Sequence, residues 1–420
     1  MPKYENLEKV KLSAYSCMRC GQCTGEVLAD IGRDGVCPIK DHTPAFEPYM
    51  SRGKNLIVRA LLDGTLEPSQ ELTEAIFKCS ICNSCNTTCH QSNNPFINLP
   101  NSRHMDHGVV WEALRADLIA AGFKHLPGHE TLLNSIKDYD NPWMQPRTAR
   151  TRWTRKLDNS NLVDLSKDRV PVDVLLFVGC TAGLDANLQK VVISTARVLQ
   201  KAGIKVGYLG ASELCCGSIG YRVGEPKLAL DLAKRNVELI NSLSTELGIK
   251  TVVTACSGCF KTMFQEYHEH ATEIGGELIP QVMHVTMYLS RLMEAGKLKF
   301  NQNPGIKKVT YHDPCHLGKH CKLYETPREI LRNLPGVEFE EMPRNRENSW
   351  CCGAGGGVKS GFGDLSTKIS YDRIREAEKT GASHLVTTCP FCEQNFSDGI
   401  IGIDSKLQVM DIVELVDKSI

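Results

Sequence analysis

The residues of this sequence best suited to chemistry are its cysteines, of which there are 19 among 420 residues. This share exceeds that of an ordinary cytosolic protein but stays below the roughly 8 to 10% of small disulfide scaffolds, so it favours metal binding over disulfides. Core thiols scattered by chance would not form groups as these do. The groups are Cys17, Cys20, Cys23 and Cys37; Cys79, Cys82, Cys85 and Cys89; Cys180, Cys215, Cys216, Cys256 and Cys259; and Cys315, Cys321, Cys351, Cys352, Cys389 and Cys392.

The first eight cysteines form two runs of C-x2-C-x2-C, each followed by a fourth cysteine. Bacterial ferredoxins use this arrangement to hold cubane [4Fe-4S] clusters, and the fourth cysteine of each run binds the other cluster. The spacing differs here, because thirteen residues separate Cys23 from Cys37. Zinc is the alternative metal, although it usually takes two C-x2-4-C pairs per ion. We predict one cubane on Cys17, Cys20, Cys23 and Cys89, and another on Cys79, Cys82, Cys85 and Cys37.

The last 250 or so residues are an internal repeat. The cysteine spacing is C-x34-CC-x39-C-x2-C in the first copy and C-x35-CC-x36-C-x2-C in the second. In both copies short β-rich runs such as LLFVG and KVTYH alternate with helical stretches, which predicts a parallel sheet with crossover helices. The cysteines follow the ends of predicted strands, so we expect them to converge at the carboxyl edge of each sheet.

The second copy contains the segment SWCCGAGGG, from Ser349 to Gly357. Adjacent cysteines are poorly placed for a disulfide, but they can put two thiolates on neighbouring irons of one cluster. The glycines let the backbone approach closely and are expected to leave an opening that no side chain covers. Cys321 has no place in either motif, and we interpret it as an ordinary thiol of the interior or one near the second cluster.

The helices and strands that the sequence predicts around the cysteine groups indicate an α+β multidomain protein. An α-helical ferredoxin-type domain is expected at 1–110, a connector at 111–170, and two repeated α/β domains with parallel sheets at 171–303 and 304–420. The connector begins with a plausible helix and continues with basic and aromatic residues interleaved. Either this basic stretch binds an anion or covers a cluster, or it is a solvated strap. Its members are Arg147, Arg150, Arg152, Arg155 and Lys156, with Trp143 and Trp153.

Charge and missing motifs exclude several classes of function. The chain has 49 basic and 49 acidic residues, so no long-range field favours nucleic acid. We see no apolar run long enough to span a bilayer, no secretory signal, and no glycine-rich nucleotide or flavin motif. We therefore expect a cytoplasmic protein, held at a membrane only through a partner subunit if at all. Its electrons must come from a protein partner, such as a cytochrome b-like membrane subunit, a flavoprotein or a ferredoxin.

The doubled pattern C...CCG...CxxC, written here as CCGS/CSGC and CCGAGGG/CPFC, resembles the CCG-domain family, whose reference member is the catalytic part of heterodisulfide reductase. A two-run ferredoxin domain ahead of two such repeats resembles the single-polypeptide form of that catalytic subunit. The resemblance implies a noncubane [4Fe-4S] cluster in each repeat. The implied ligands are Cys180, Cys215, Cys216, Cys256 and Cys259 for one cluster, and Cys315, Cys351, Cys352, Cys389 and Cys392 for the other.

Three classes of function fit these observations. The first is a disulfide reductase subunit, in which the cubanes feed two noncubane clusters that cleave a small disulfide lying between the repeats, or run the reverse. The second is a non-catalytic electron-transfer subunit of a menaquinone- or flavin-linked dehydrogenase complex of the lactate, glycolate or glycerol-phosphate type. The third is a zinc scaffold. His312, His316 and His320 surround Cys315 and could deliver protons or form structural hydrogen bonds.

Overall fold

The structure is a computed structural model that describes residues 3–25, 35–44, 46–92, 105–157 and 161–420. The chain folds as two compact units, neither of which is continuous in sequence. We call them the helical unit and the sheet unit. The helical unit comprises Met1–Glu130, Ile219–Pro226 and Arg344–Arg373, and the sheet unit comprises Thr131–Ser218, Lys227–Pro343 and Ile374–Ile420.

Helices occur along the whole described chain, and several begin at side chains that cap the free backbone N–H groups of the first turn. Ser69 accepts a hydrogen bond from the Leu72 N–H (3.2 Å), and Asp106 accepts one from the Val109 N–H (3.3 Å). The α-helices are α1 Glu5–Lys9, α2 Lys11–Tyr15, α3 Ser51–Leu62, α4 Gln70–Phe77, α5 Ser84–Thr88, α6 His107–Ala120, α7 Pro127–Tyr139, α8 Cys180–Leu184, α9 Gln189–Lys201, α10 Ser218–Arg222, α11 Pro226–Leu247, α12 Ser257–Lys261, α13 Tyr267–Glu269, α14 Ala271–Ile274, α15 Val285–Glu294, α16 Glu325–Asn333, α17 Val358–Gly361, α18 Gly363–Glu378, α19 Pro390–Gly402 and α20 Ile412–Asp417.

The helical unit is built around the packing of α1, α3, α4 and α6. Val58 of α3, Ile76 of α4 and Leu114 of α6 are fully buried in its core, because each helix carries apolar residues at helical spacing. Cys17, Cys79 and Cys89 border this core. The predicted helical character of the first cysteine-rich region is therefore confirmed.

The sheet unit contains two separate parallel sheets. In the first, the strand order is β1-β3-β2-β4-β5, and in the second it is β7-β6-β8-β9, so the second copy repeats the last four positions of the first. The strands are short, and the inner strands β2, β3, β4, β6 and β8 are mostly buried, as expected when crossover helices cover a parallel sheet, whereas the edge strand β7 is largely exposed. Their bounds are β1 Leu162–Asp164, β2 Val174–Leu176, β3 Val206–Tyr208, β4 Thr251–Thr254, β5 Gln281–His284, β6 Lys308–Tyr311, β7 Glu338–Glu340, β8 His384–Thr387 and β9 Gln408–Asp411.

These sheets confirm the predicted fold class. The strand β1 was not predicted from the sequence. Its residues fall in the connector, where three residues of strand gave too weak a pattern to detect. β1 pairs in parallel with β3 at the edge of the first sheet, with Leu162 opposite Val206. The connector also supplies a 3₁₀ helix, Arg147–Lys156, whose Trp153 is fully buried in the core of the sheet unit.

One hydrophobic core serves both sheets. It contains Val174 and Val253 of the first sheet together with Val309 and Val386 of the second. The helices pair across the two copies, because α9 packs on α20 and α15 packs on α16. These contacts between helices of different copies join the two repeats in one compact unit. In the part of the chain that the structure describes, no helix is both long enough and apolar enough to span a membrane.

Candidate metal centres

The first N-terminal group of thiols assembles within the helical unit. Burial, together with the neighbouring thiols of Cys17, Cys89 and Cys20, raises the pKa of Cys23 to about 12, so these four lie together. The α3 side chain of Arg59 donates a hydrogen bond to the carbonyl oxygen of Cys17 (2.7 Å). A cation is thereby fixed beside this group.

The second N-terminal group also lies in the helical unit. Burial raises the pKa of Cys37 to about 11, with Cys79 and Cys82 adding to the effect, while Lys54 opposes it. Burial likewise raises the pKa of Cys85, and Cys79 and Cys82 again contribute. The two groups are those that the crossed pairing predicts, and the assignment of each cysteine as a ligand stays a prediction.

The five cysteines of the first repeat lie at the carboxyl edge of the first sheet. Cys180 begins α8 just after β2, and Cys256 follows β4 as the residue that caps α12. Hydrogen bonds from Cys215 and Cys259 lower the pKa of Cys216 to about 6. Each of these thiols shifts the pKa of the next, in the order Cys180, Cys215, Cys216, Cys259 and Cys256, so the five lie in a row.

The backbone of the first adjacent pair is held by two buried side chains. Asn236 of α11 donates to the carbonyl oxygen of Cys215 (2.9 Å), and the hydroxyl of Tyr267 donates to that of Cys216 (3.0 Å). Gly179 has a φ of +77°, and a Cβ there would lie 3.2 Å from the Cys259 sulfur. Glycine before Cys180 therefore lets the thiols approach one another.

The chain of thiols continues into the second repeat within the sheet unit. Cys256 interacts with Cys389, and hydrogen bonds from Cys256 and Cys392 lower the pKa of Cys389 well below its ordinary value. The loop before Cys389 is fixed from the first repeat, because Ser257 donates its hydroxyl to the Thr388 carbonyl oxygen (2.7 Å). The first cysteines of the two CxxC motifs thus meet where the two copies join.

Cys351 and Cys352 belong to the helical unit, whereas Cys315, Cys389 and Cys392 belong to the sheet unit. Both members of the adjacent pair are buried, and the Gly353 N–H donates to the Cys351 sulfur (3.3 Å). The glycines that follow do not leave the uncovered opening that the sequence suggested. A Cβ on Gly356 would lie 2.5 Å from the Cys79 carbonyl oxygen, so the loop packs on the second cysteine run of the same unit.

The remaining candidate residues are Cys321 and the three histidines around Cys315. Cys321 is half-buried and packs against the core of the first sheet. The His312 ring is buried edge-on to Phe396, with ring centroids 4.8 Å apart, and the rings of His316 and His320 lie 5.0 Å apart.

Two charged groups beside the thiols were not predicted. Glu213 is buried two residues before Cys215 and accepts hydrogen bonds from the N–H groups of Val178 and Gly179 (both 2.9 Å). Lys54 is buried in the interior of the helical unit near Cys37, with Nζ 5.8 Å from the centre of the Trp111 ring. Glu213 stands beside the CC pair in sequence, which is a usable signal, whereas nothing in the local sequence of Lys54 marks it.

Arg150 is the residue of the basic stretch that contacts a cysteine, as expected if this position covers a cluster. Its guanidinium is buried and donates to the Cys180 sulfur (3.1 Å) and to Glu213 (3.0 Å). Arg152, Arg155 and Lys156 are exposed. Within the stretch Arg150 therefore contacts a candidate ligand, Trp153 packs in the core, and Arg152, Arg155 and Lys156 are solvated.

These thiols suit an iron–sulfur group by their chemistry. They are soft donors, and those of the two repeats are mostly buried, where a protonated thiol forms only weak hydrogen bonds. Iron–sulfur clusters are held by such sets of thiolates.

Comparison with known proteins agrees with an iron–sulfur role. A 4Fe-4S dicluster domain family matches residues 13–93, and a cysteine-rich domain family, CCG, matches residues 174–264 and 309–397. The dicluster match favours iron–sulfur clusters over zinc at the N-terminal cysteines. The two CCG matches coincide with the two copies of the repeat.

Relatives match the whole chain. The chain is 34% identical over 428 residues to a subunit of the dihydromethanophenazine:CoB–CoM heterodisulfide reductase of Methanosarcina barkeri, with 99% of this chain and 96% of the relative covered. It is 28% identical to the EtfAB:quinone oxidoreductase of Syntrophomonas wolfei, covering 99% of this chain but 60% of that protein. A hypothetical protein from Helicobacter pylori of known structure has a similar fold, with a TM-score of 0.54, 11% identity, and coverage of 91% of this chain and 70% of the other.

Proposed function

Since the chain belongs to the family of iron–sulfur oxidoreductases that includes this heterodisulfide reductase subunit, we propose that it passes electrons through two [4Fe-4S] cubanes to two noncubane [4Fe-4S] clusters, where a small disulfide is reductively cleaved or formed. Relatives are subunits of larger complexes, and we propose the same here, with a cytochrome b-like, flavoprotein or ferredoxin partner. The proposed noncubane ligands are Cys180, Cys215, Cys216, Cys256 and Cys259, and Cys315, Cys351, Cys352, Cys389 and Cys392.

The observation that carries this proposal is the continuous row of thiols from Cys180 to Cys392 through the contact between Cys256 and Cys389. Breaking a disulfide takes two electrons, whereas an iron–sulfur cluster usually transfers one at a time. Two clusters, one held by the cysteines of each repeat, would together supply both electrons and a site for each sulfur. A single repeat would leave one sulfur as a radical.

The chain's own residues contribute position to this chemistry. Asn236 and Tyr267 hold the backbone of the first CC pair, and Ser257 ties the loop before Cys389 to the first repeat. Thr388 is further held by Tyr311, whose hydroxyl lies 3.0 Å from the Thr388 hydroxyl. These contacts fix the backbone of the first CC pair, and they fix the loop before Cys389 relative to the first repeat.

The test is disulfide reduction by the anaerobic holoprotein with a reduced viologen dye as electron donor. We expect Cys216→Ala and Cys352→Ala each to abolish turnover while the other repeat keeps its iron and its spectrum. Cys321→Ser is the matched control, because Cys321 lies outside both ligand sets. If either alanine variant keeps near-normal disulfide reduction, the two-cluster reaction is wrong.

A second function is favoured by the match to the EtfAB:quinone oxidoreductase. In that case the chain is a non-catalytic electron-transfer subunit of a quinone- or flavin-linked dehydrogenase complex. The same assay separates the two functions. An electron-transfer subunit would oxidise the reduced dye with a quinone or flavoprotein acceptor and would fail to reduce any small disulfide.

A further inference from the structure

Lys54 of α3 is a buried cation that has no carboxylate partner among the residues that the structure describes. The residue is 2% exposed, and its side chain forms no hydrogen bond or ion pair within that part of the chain. Its ammonium nitrogen lies 5.8 Å from the centre of the Trp111 ring. A contact with an aromatic ring offsets only part of the free energy needed to remove an ammonium group from water.

Arg115 of α6 is a second buried cation of the helical unit, and it is fully inaccessible to solvent. Its guanidinium donates hydrogen bonds to backbone carbonyl oxygens, which carry no net charge. These acceptors belong to Arg222 (2.6 Å), Gly356 (2.7 Å), Ile76 (3.0 Å), Phe77 (3.2 Å) and Cys79 (2.6 Å). The nearby carboxylate of Glu112 is paired with Arg222 (2.6 Å). The fold therefore holds a full positive charge against the backbone of Cys79.

Both cations lie beside the second N-terminal group of cysteines, and all of these residues belong to the helical unit. Burial raises the pKa of Cys37, and Lys54 is the charge that opposes this shift most. Burial lowers the pKa of Arg115 to about 10, and Cys79 is the group that opposes this shift most. One turn before Lys54 on α3, the Ser51 hydroxyl acts as a hydrogen-bond donor that opposes the rise in the pKa of Cys85 caused by burial.

Buried charges in proteins are paired or face a metal group, and a set of thiolates around a cluster supplies the negative charge that these two cations lack. We propose that Lys54 and Arg115 are the counter-charges of the cubane held by Cys37, Cys79, Cys82 and Cys85, and that they raise its reduction potential. The inference rests on the function proposed above. One-electron reduction adds one negative charge to the cubane and breaks no bond, so positive charge held nearby with little screening favours it.

The experiment is a redox titration of the anaerobic holoprotein followed by electron paramagnetic resonance. The signal that disappears in Cys82→Ala identifies the second cubane. In Lys54→Met we expect reduction of that cubane to become at least about tenfold less favourable, which corresponds to a midpoint lower by about 59 mV for one electron. Methionine keeps an unbranched apolar side chain, so the charge is the main loss. Lys9→Met is the matched control, because Lys9 is an exposed lysine of the same unit, and its midpoints should not move.

Arg115 is tested by a pair of variants that separate its charge from its hydrogen bonds. Arg115→Gln should lower the midpoint of the same cubane, whereas Arg115→Lys keeps the charge and should stay within tenfold of the parent. A merely structural role would reduce the iron content of both variants without moving the midpoint of the cubane that remains. An unchanged midpoint in Lys54→Met or in Arg115→Gln, at full iron content, overturns the inference for that residue and leaves the proposed function intact.

Two further outcomes keep the test decisive. If Lys54→Met fails to hold the second cubane, Lys54→Arg decides between charge and packing: iron retained in Lys54→Arg supports the counter-charge, and iron lost again overturns it. If Cys82→Ala removes no signal, the second cubane itself is refuted, and the proposed function fails together with this inference.

Discussion

Acid should loosen the glycine-rich loop after Cys352 through one buried histidine, His129. Its Nε2 donates to the Gly357 carbonyl oxygen (2.8 Å), and its ring packs on Phe77 with centroids 5.1 Å apart. Its Nδ1 is buried and has no hydrogen-bond acceptor among the residues that the structure describes. Burial lowers the pKa of His129 from 6.5 to about 4, so the histidine is neutral in the closed loop.

The direction of the effect follows from proton uptake. An opened loop exposes a histidine of ordinary pKa, which binds a proton below about pH 6.5, whereas the closed loop binds none until about pH 4. The stabilisation is therefore complete above pH 6.5 and is lost as the pH falls towards 4. At about 1.36 kcal/mol per pKa unit the full loss is about 3 kcal/mol, and at pH 5 it is about 2 kcal/mol, or roughly 30-fold in the opening equilibrium.

Hydrogen exchange of peptides that cover 354–362 measures this opening in the anaerobic holoprotein. After correction for the pH dependence of amide exchange itself, we expect roughly 30-fold more opening at pH 5 than at pH 7.5. His129→Gln is the control, because glutamine can keep a donor for Gly357 but does not titrate. The same pH dependence in the parent and in the variant would refute the reasoning.

Three more predictions concern the clusters. The anaerobic protein should hold about 16 iron and 16 acid-labile sulfide, by the count that four four-iron clusters imply; iron analysis that gives about eight would mean that the repeats are empty. Cys321→Ser should keep its iron and Cys352→Ser should lose about a quarter of it, by the same count; equal losses would show that the division of ligands is wrong. Cys20→Ser should slow reduction by the protein donor, because the cubanes are relays, and should spare disulfide reduction driven by a small dye; equal loss with both donors in steady-state assays would contradict the relay role.

Much of the chemistry was predictable because ligand spacing is a local property. The runs around Cys17 and Cys79 carry their own pattern, and the doubled CC motifs carry theirs, so the iron–sulfur class of the protein could be predicted from the sequence alone. The parallel sheets were predictable for a related reason, since strands and helices alternate with clear periodicity in both copies. The family matches confirm the iron–sulfur class and the repeat.

Other features depended on contacts between residues far apart in the chain, which no local pattern encodes. Cys256 and Cys389 come into contact although they belong to different copies of the repeat, and the glycine-rich loop packs against Cys79, more than 250 residues earlier in the chain. Arg150 was one of several basic residues in a strap, and only burial against Cys180 and Glu213 separated it from its neighbours. The sequence determines which residues can bind a cluster, because ligand chemistry is local. The tertiary structure decides which charges surround the sulfurs, because burial and long-range packing set the electrostatics.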